Sequence, residues 1–307
     1  MLKQLSDQLT ERGYEGRIVP IQRLGDLRDA IEGQYRQGLF DQHLYDDYLA
    51  AFTFSTPDSL PGAKSIIVVA VPEPRIRVTF HWDGESIPAA IPPTWGERKK
   101  DRRVRELLTQ IVEPMGYRIA QASVPKKLLA ARSGLAAYGK NNITYVPGIG
   151  SFYSPVAVYS DLPVSGDSWQ EPQMMDSCQS CSACQRHCPA GAITPERFLL
   201  HAERCITFHN EKPVDVPFPA WIDPAWHNCL VGCLHCQRVC PENREVWQWV
   251  KEGAEFSQEE TALLLEGLPF DQLPGATAEK LAQLDLDAFV DIFPRNLSAL
   301  LSQRGWR

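Results

Sequence analysis

The sequence predicts an α+β fold in parts of different composition, and three observations carry that expectation. The run SIIVVAV at 65–71 is continuous, apolar and β-branched, the pattern of a strand buried on both faces. Segments of helical and strand character alternate through the first 175 residues, which asks for a central sheet with helices packed on it. All nine cysteines lie between Cys178 and Cys240, and such an abrupt change of composition marks a separate module.

In chain order, MLKQLSDQLTERGYEG sets Leu2, Leu5 and Leu9 at helical spacing among charges, an amphipathic helix rather than a signal peptide. RIRVTFHWDGESI alternates around Asp83-Gly84, the signal of a hairpin closed by a two-residue turn. VRELLTQIVEPMG reads as an amphipathic helix ending near Pro114 and Gly116. VPKKLLAARSGLAAYGKNN reads as a helix followed by a tight loop at Gly134 and Gly139, and FYSPVAVYSDLPV as another apolar strand. Beyond Cys240, EVWQWVKEG, SQEETALLLEG and TAEKLAQLDLDAFVDIF are each helical in period, and Ser257 with Glu260 forms a capping-box pattern.

A chain of 307 residues with 44% hydrophobic and 22% charged residues can bury a sizeable core, which excludes a disordered polypeptide. A net charge of −7 opposes a surface built as a nucleic-acid patch. The local exception, GERKKDRRVRE at 96–106, reads first as a solvated helix face and second as an anion or RNA contact. No apolar run approaches the roughly 18 residues a spanning helix needs, so no membrane contact and a cytoplasmic location are expected.

Cys178-x2-Cys181-x2-Cys184-x3-Cys188-Pro189 is a ferredoxin-type run: three closely spaced thiolates wrap one cubane, and the fourth points to a neighbouring cluster. A second run follows as Cys233-x2-Cys236-x3-Cys240-Pro241. Together they predict two 4Fe–4S clusters with exchanged ligands. Cys178, Cys181, Cys184 and Cys240 hold one; Cys188, Cys233, Cys236 and a further thiolate hold the other. Disulfides do not suit a cytoplasmic chain, and structural zinc has no use for the third cysteine of each run. Nine cysteines for eight places leave Cys205 and Cys229 as candidates, and spacing, which favours Cys229, does not decide between them.

A ferredoxin-like module behind a larger cysteine-free region asks for a second centre that accepts single electrons: a flavin, a corrinoid or a docked redox protein. Gly148-Ile149-Gly150 lacks the third glycine of a dinucleotide fingerprint. The stretch 136–155 is either two turns around a short strand or a glycine-bearing backbone that a large cofactor approaches closely.

An ordered set of motifs sharpens this: PGAKSIIVVAV, ARSGLAAYGKNN, GSFYSPVAVYSDLPV, the first cysteine run, HAERCIT, GCLHCQRVCPEN and PRNLSALL. In that order they resemble the epoxyqueuosine reductases, cobalamin and iron–sulfur enzymes that complete queuosine in tRNA, and more distantly the reductive dehalogenases. The resemblance implies a nitroreductase-like α/β cobalamin-binding domain over 1–170, a ferredoxin-like double 4Fe–4S domain over 171–250 and a short helical C-terminal segment over 251–307. It assigns Cys205 as the fourth ligand of the second cluster. It also places Gly139, Lys140, Asn141, Gly150 and Ser151 along the corrinoid, with Thr207 where the family has a serine near it. Asp41-x-His43-x-x-Asp46 lacks the glycine of a histidine-ligated corrinoid motif, so the implied corrinoid is base-off and His43 a surface residue.

Two departures bear on activity. Ala120 or its neighbours stand where the family carries its proton-donating aspartate, and TWGERKKDRRV lacks the family's tyrosine and histidine. The functional expectation is a divergent cobalamin-dependent iron–sulfur reductase, with Tyr138, Lys140, Tyr145 and Tyr153 as the remaining proton-donor candidates. A flavodoxin or ferredoxin would supply electrons, and a small-molecule substrate is favoured over tRNA. The alternatives are a non-catalytic accessory that binds and reduces cobalamin for a corrinoid enzyme or simply transfers electrons, and a true epoxyqueuosine reductase with a relocated proton donor.

Overall fold

The computed structural model describes residues 2–302. Its elements run α1 (Leu2–Thr10), β1 (Glu15–Pro20), α2 (Arg23–Arg36), α3 (Gln42–Leu44), β2 (Ser65–Pro72), β3 (Arg75–Trp82) and β4 (Glu85–Ile91). There follow α4 (Glu97–Val112), β5 (Ile119–Gln121), α5 (Lys126–Arg132), β6 (Ala137–Tyr138), β7 (Thr144–Tyr145) and β8 (Tyr153–Ser160). The remainder comprises α6 (Ala183–His187), α7 (Ile206–Asn210), α8 (His235–Arg238), β9 (Val250–Phe256), α9 (Gln258–Glu266), α10 (Gly275–Gln283) and α11 (Phe293–Ser302), with short 3-10 turns between. This is a mixed α+β architecture.

The chain divides into two compact units. The first takes the residues through Glu73 with Glu97–Ser182 and Pro195–Ala202; the second takes Pro74–Gly96, Ala183–Thr194 and the chain from Glu203.

The first unit is built on an antiparallel sheet in the order β1-β2-β8-β5. Strand period explains why β2 is apolar throughout. Ile66, Val68 and Ala70 enter one core with Leu24, Leu27 and Leu129, while Ile67, Val69 and Val71 enter the opposite core with Val104, Leu108 and Val112 of α4. Leu5 and Leu9 of α1 complete the second core, as their spacing predicts. On α4 the basic run splits by helical phase: Arg98, Lys99, Arg102 and Arg103 are exposed, but Lys100, one and two turns before Val104 and Leu108, is buried.

In the second unit β3 and β4 form the expected hairpin. Asp83 (φ 50°) and Gly84 (φ 76°) both take the left-handed conformation of a two-residue turn. The helical reading of EVWQWVKEG is corrected: its C-terminal part opens β9, which pairs in parallel with β3, with a bulge between Arg77 and Thr79. A side chain at Gly253 would place its Cβ 2.6 Å from Ile76 Cγ2 and 2.9 Å from the Arg77 carbonyl, so glycine lets the two strands meet. Phe80 of β3 stacks on Phe256 of β9 with centroids 5.0 Å apart, and Leu264, Leu281, Phe293 and Leu297 of the C-terminal helices pack into the same core. The Ser257–Glu260 capping box is present at the start of α9. Among the described residues no helix is long and apolar enough to cross a membrane.

Candidate metal centre

Four thiols of the second unit share one electrostatic environment. Burial pushes the Cys233 thiol up to about 12, and the like charges of Cys205 and Cys188 push in the same direction. Burial, then Cys233, Cys205, Cys188 and Cys184, raise Cys236 well above the ordinary thiol value. Burial likewise raises Cys205, with Cys188 adding to it. Thiolates gathered in this way would be unstable unless a positive centre compensated them.

Cys205 precedes the short α7, and the Phe208 N–H donates to its carbonyl at 3.1 Å; Thr207 and Phe208 oppose the upward push of burial on its thiol. The Ala192 N–H donates to Cys188 Sγ at 3.3 Å, and the His235 backbone opposes the upward push on Cys233. Such N–H···S bonds are a principal means of tuning iron–sulfur clusters. Among the described residues no three Cys, His, Asp or Glu side chains converge as single-ion ligands. This does not conflict with a cluster, because a cubane spreads its thiolates over separate iron corners. The donor set fits a 4Fe–4S cluster.

Cys229 lies in the same unit but is held differently. It bridges β4 through Ala90, the Leu230 N–H donating to the Ala90 carbonyl at 3.0 Å. Burial, Cys233 and Cys236 raise its thiol, while the Leu234 N–H and Arg75 act against them. Cys240 precedes the 3-10 turn Pro241–Asn243, and Cys184 stands in α6.

In the first unit the strand β6 guides the entry to the first cysteine run. The Tyr138 N–H donates to the Gln173 carbonyl at 2.8 Å, and the Met175 N–H to the Tyr138 carbonyl at 2.9 Å. Cys178 follows in a 3-10 turn, and its N–H returns to Met175. Lys140, at the tip of the β6–β7 hairpin, donates from Nζ to the Cys181 carbonyl at 2.8 Å and the Gln179 carbonyl at 3.3 Å.

The hairpin also holds three of the residues expected along the corrinoid, Gly139, Lys140 and Asn141. A Cβ on Gly139 would lie 2.7 Å from Asn141 Oδ1 and 2.8 Å from the Tyr145 ring, so this glycine serves the closure of the hairpin on itself. Buried Asn141 donates to the Tyr145 hydroxyl at 2.8 Å and accepts from the Ile143 N–H at 3.2 Å. Gly150 adopts φ 56° and Ser151 is buried, just before β8. Thr207 stands in the second unit, in α7 just after Cys205.

The tyrosine candidates are interior residues. Burial raises Tyr138, and raises Tyr153 to about 12 although Tyr153 donates to Thr144 Oγ1 at 2.6 Å. Each is a weaker acid than a free phenol. Ala120, expected with its neighbours at the place of the family's aspartate, is a core residue of β5 paired with Tyr159. His43 is exposed, as expected. Two arrangements escaped sequence reasoning: Lys100 donating to Ser154 Oγ at 3.0 Å, and the Lys126–Asp101 ion pair at 3.0 Å. The helical phase of Lys100 with Val104 and Leu108 was the available signal for the first.

Residues 177–243 match the family model of a 4Fe–4S double cluster binding domain. The chain is thus a double-cluster iron–sulfur protein with a larger α+β part. It is 34% identical over 192 residues to the epoxyqueuosine reductase of Pseudomonas aeruginosa, covering 61% of this chain and 49% of that protein. To the Escherichia coli epoxyqueuosine reductase it is 29% identical over 149 residues, 48% of this chain and 38% of the relative. The matched stretch therefore spans half or less of the length of these relatives. An epoxyqueuosine reductase solved with an epoxyqueuosine-modified tRNA-Tyr stem loop has the same fold, with TM-score 0.68 and 21% identity over 99% of this chain and 82% of that one. The resemblance to epoxyqueuosine reductases covers 61% and 48% of the chain in these two sequence matches and 99% of it in fold.

Proposed function

We propose that this protein is a cobalamin-dependent iron–sulfur reductase related to epoxyqueuosine reductase, in which two 4Fe–4S clusters pass electrons to a base-off corrinoid. The observation that carries it is the quartet Cys188, Cys205, Cys233 and Cys236, half-buried and close enough to act on one another's thiols, with the Ala192 N–H on the Cys188 sulfur. These four would hold one cluster, and Cys178, Cys181, Cys184 and Cys240 the other, as their spacing suggests.

The corrinoid would be lined by Gly139, Asn141, Gly150 and Ser151 and by the backbone of Lys140, whose ammonium is turned to the cysteine loop. When bound, it supplies a low-potential metal centre for a two-electron reduction. Thr207, two residues after Cys205 and lowering its thiol, would help hold that sulfur as thiolate. A nitroreductase-like core for residues 1–170, a ferredoxin-like module for 171–250 and a C-terminal segment for 251–307 are part of the same reading. A flavodoxin- or ferredoxin-type protein would be the donor.

One observation favours a second reading. Ala120 belongs to the core and offers no proton, and the neighbouring tyrosines are buried and poor acids. A protein that reduces cobalamin for a separate corrinoid enzyme needs no such donor.

Anaerobic reconstitution tests the cofactor content that both readings share. About eight iron per chain is expected for two cubanes, together with the spectrum of a base-off corrinoid on addition of cobalamin. Absence of corrinoid binding reduces the protein to an electron carrier. Turnover of epoxyqueuosine-containing tRNA by the reduced protein would establish the tRNA reductase reading despite Ala120.

A further inference from the structure

We propose that Lys140 is a positioning residue of the first cluster: its ammonium clamps the cysteine loop and biases that cluster toward reduction. The inference rests on the reading that Cys178 and Cys181 are cluster ligands. Lys140 Nζ lies 2.8 Å from the Cys181 carbonyl and 3.3 Å from the Gln179 carbonyl, which flank Ser180 within the loop. A loop that wraps a cluster turns N–H groups toward the sulfurs, which leaves its carbonyls facing outward and in need of donors. One ammonium serves two of them here.

The clamp is held from both sides. The hairpin tip is closed by the Gly139 N–H donating to Ile143 at 2.8 Å and by the Asn141–Tyr145 bond at 2.8 Å. The segment leading to Cys178 is tied to Tyr138, the residue two before Lys140, by its backbone bonds to Gln173 and Met175. Lys140 therefore has little freedom to leave the loop. A positive charge kept on the backbone of a ligand residue, partly shielded from water, favours the more negative, reduced form of the cluster. Cluster charge and hydrogen bonding are the known levers on such potentials.

The test is a potentiometric titration of the reconstituted protein followed by electron paramagnetic resonance, comparing wild type with Lys140→Gln and Lys140→Arg. In the Gln variant one cluster is expected to titrate at a more negative potential while the other is unchanged, and the Arg variant is expected to stay near wild type. Selective loss of one cluster's iron in the Gln variant, the other spectrum intact, is the same result in stronger form. An iron-replete Gln variant with both potentials unchanged overturns the proposal, as does equal disturbance of both clusters. Failure of the wild type to take up iron would instead sink the cluster reading itself.

Discussion

Lys100 Nζ lies 3.0 Å from Ser154 Oγ, so a lysine from a run of exposed basic residues is sunk into the first unit, 8% exposed, against the start of β8. A hydrogen bond to a charged group contributes about 1.5–3 kcal/mol, while burial of the ammonium opposes it. Lys100→Met keeps the aliphatic stem and removes both effects. The expected net loss is about 1 kcal/mol of stability by urea unfolding, whereas Lys99→Met, on the exposed face, is expected to change nothing measurable.

The cysteine assignment predicts opposite outcomes for two similar substitutions. Cys205→Ser removes a thiol that shares the environment of Cys188. It is expected to lower bound iron from about eight to about four per chain. Cys229→Ser is expected to leave the iron and the resonance spectrum intact. Loss of iron in the Cys229 variant with full iron in the Cys205 variant would exchange the roles of the two residues.

Gly253→Ala sets a methyl group 2.6 Å from Ile76 Cγ2 and 2.9 Å from the Arg77 carbonyl, and a backbone carbonyl cannot swing aside. Overpacking of this kind costs about 1–3 kcal/mol. Thermal unfolding is expected to shift down accordingly, whereas Gly275→Ala, whose Cβ meets nothing within 4 Å, is expected to shift it little.

Glu260 gives the second unit an acid-sensitive joint. Burial raises its carboxyl, but Lys280 at 2.6 Å, the Ser257 N–H and Thr277 more than offset this and hold it below the ordinary value. The unfolded chain therefore binds this proton more tightly. The stabilisation is present above the ordinary carboxylate range and is lost as pH falls through the folded value. Glu260→Gln is expected to flatten that acid limb and, by weakening the capping box, to cost about 1 kcal/mol near neutrality. Parallel pH slopes for wild type and variant would contradict this.

Much of the fold was legible because the signals were local. The two-faced burial of β2 follows from SIIVVAV, the hairpin turn from Asp83-Gly84, and the start of α9 from Ser257 and Glu260. EVWQWVKEG was misread because its apolar spacing is shared by a helix and a strand, and only the β3 edge, reached through Gly253, selects the strand. The interleaving of the two units also lay beyond local signals, since β3 and β4 join residues far along the chain.

The sequence by itself pointed to a double-cluster domain and to seven thiolates that spacing would assign to it, because ligand spacing within a short run is a local constraint on the chain. Tertiary structure decided what spacing cannot reach. It brought Cys205 into the environment of Cys188, Cys233 and Cys236, seated Cys229 against β4, buried Lys100 and turned Lys140 onto the cysteine loop. Each depends on contact between segments remote in sequence, where burial and distance set which charges meet.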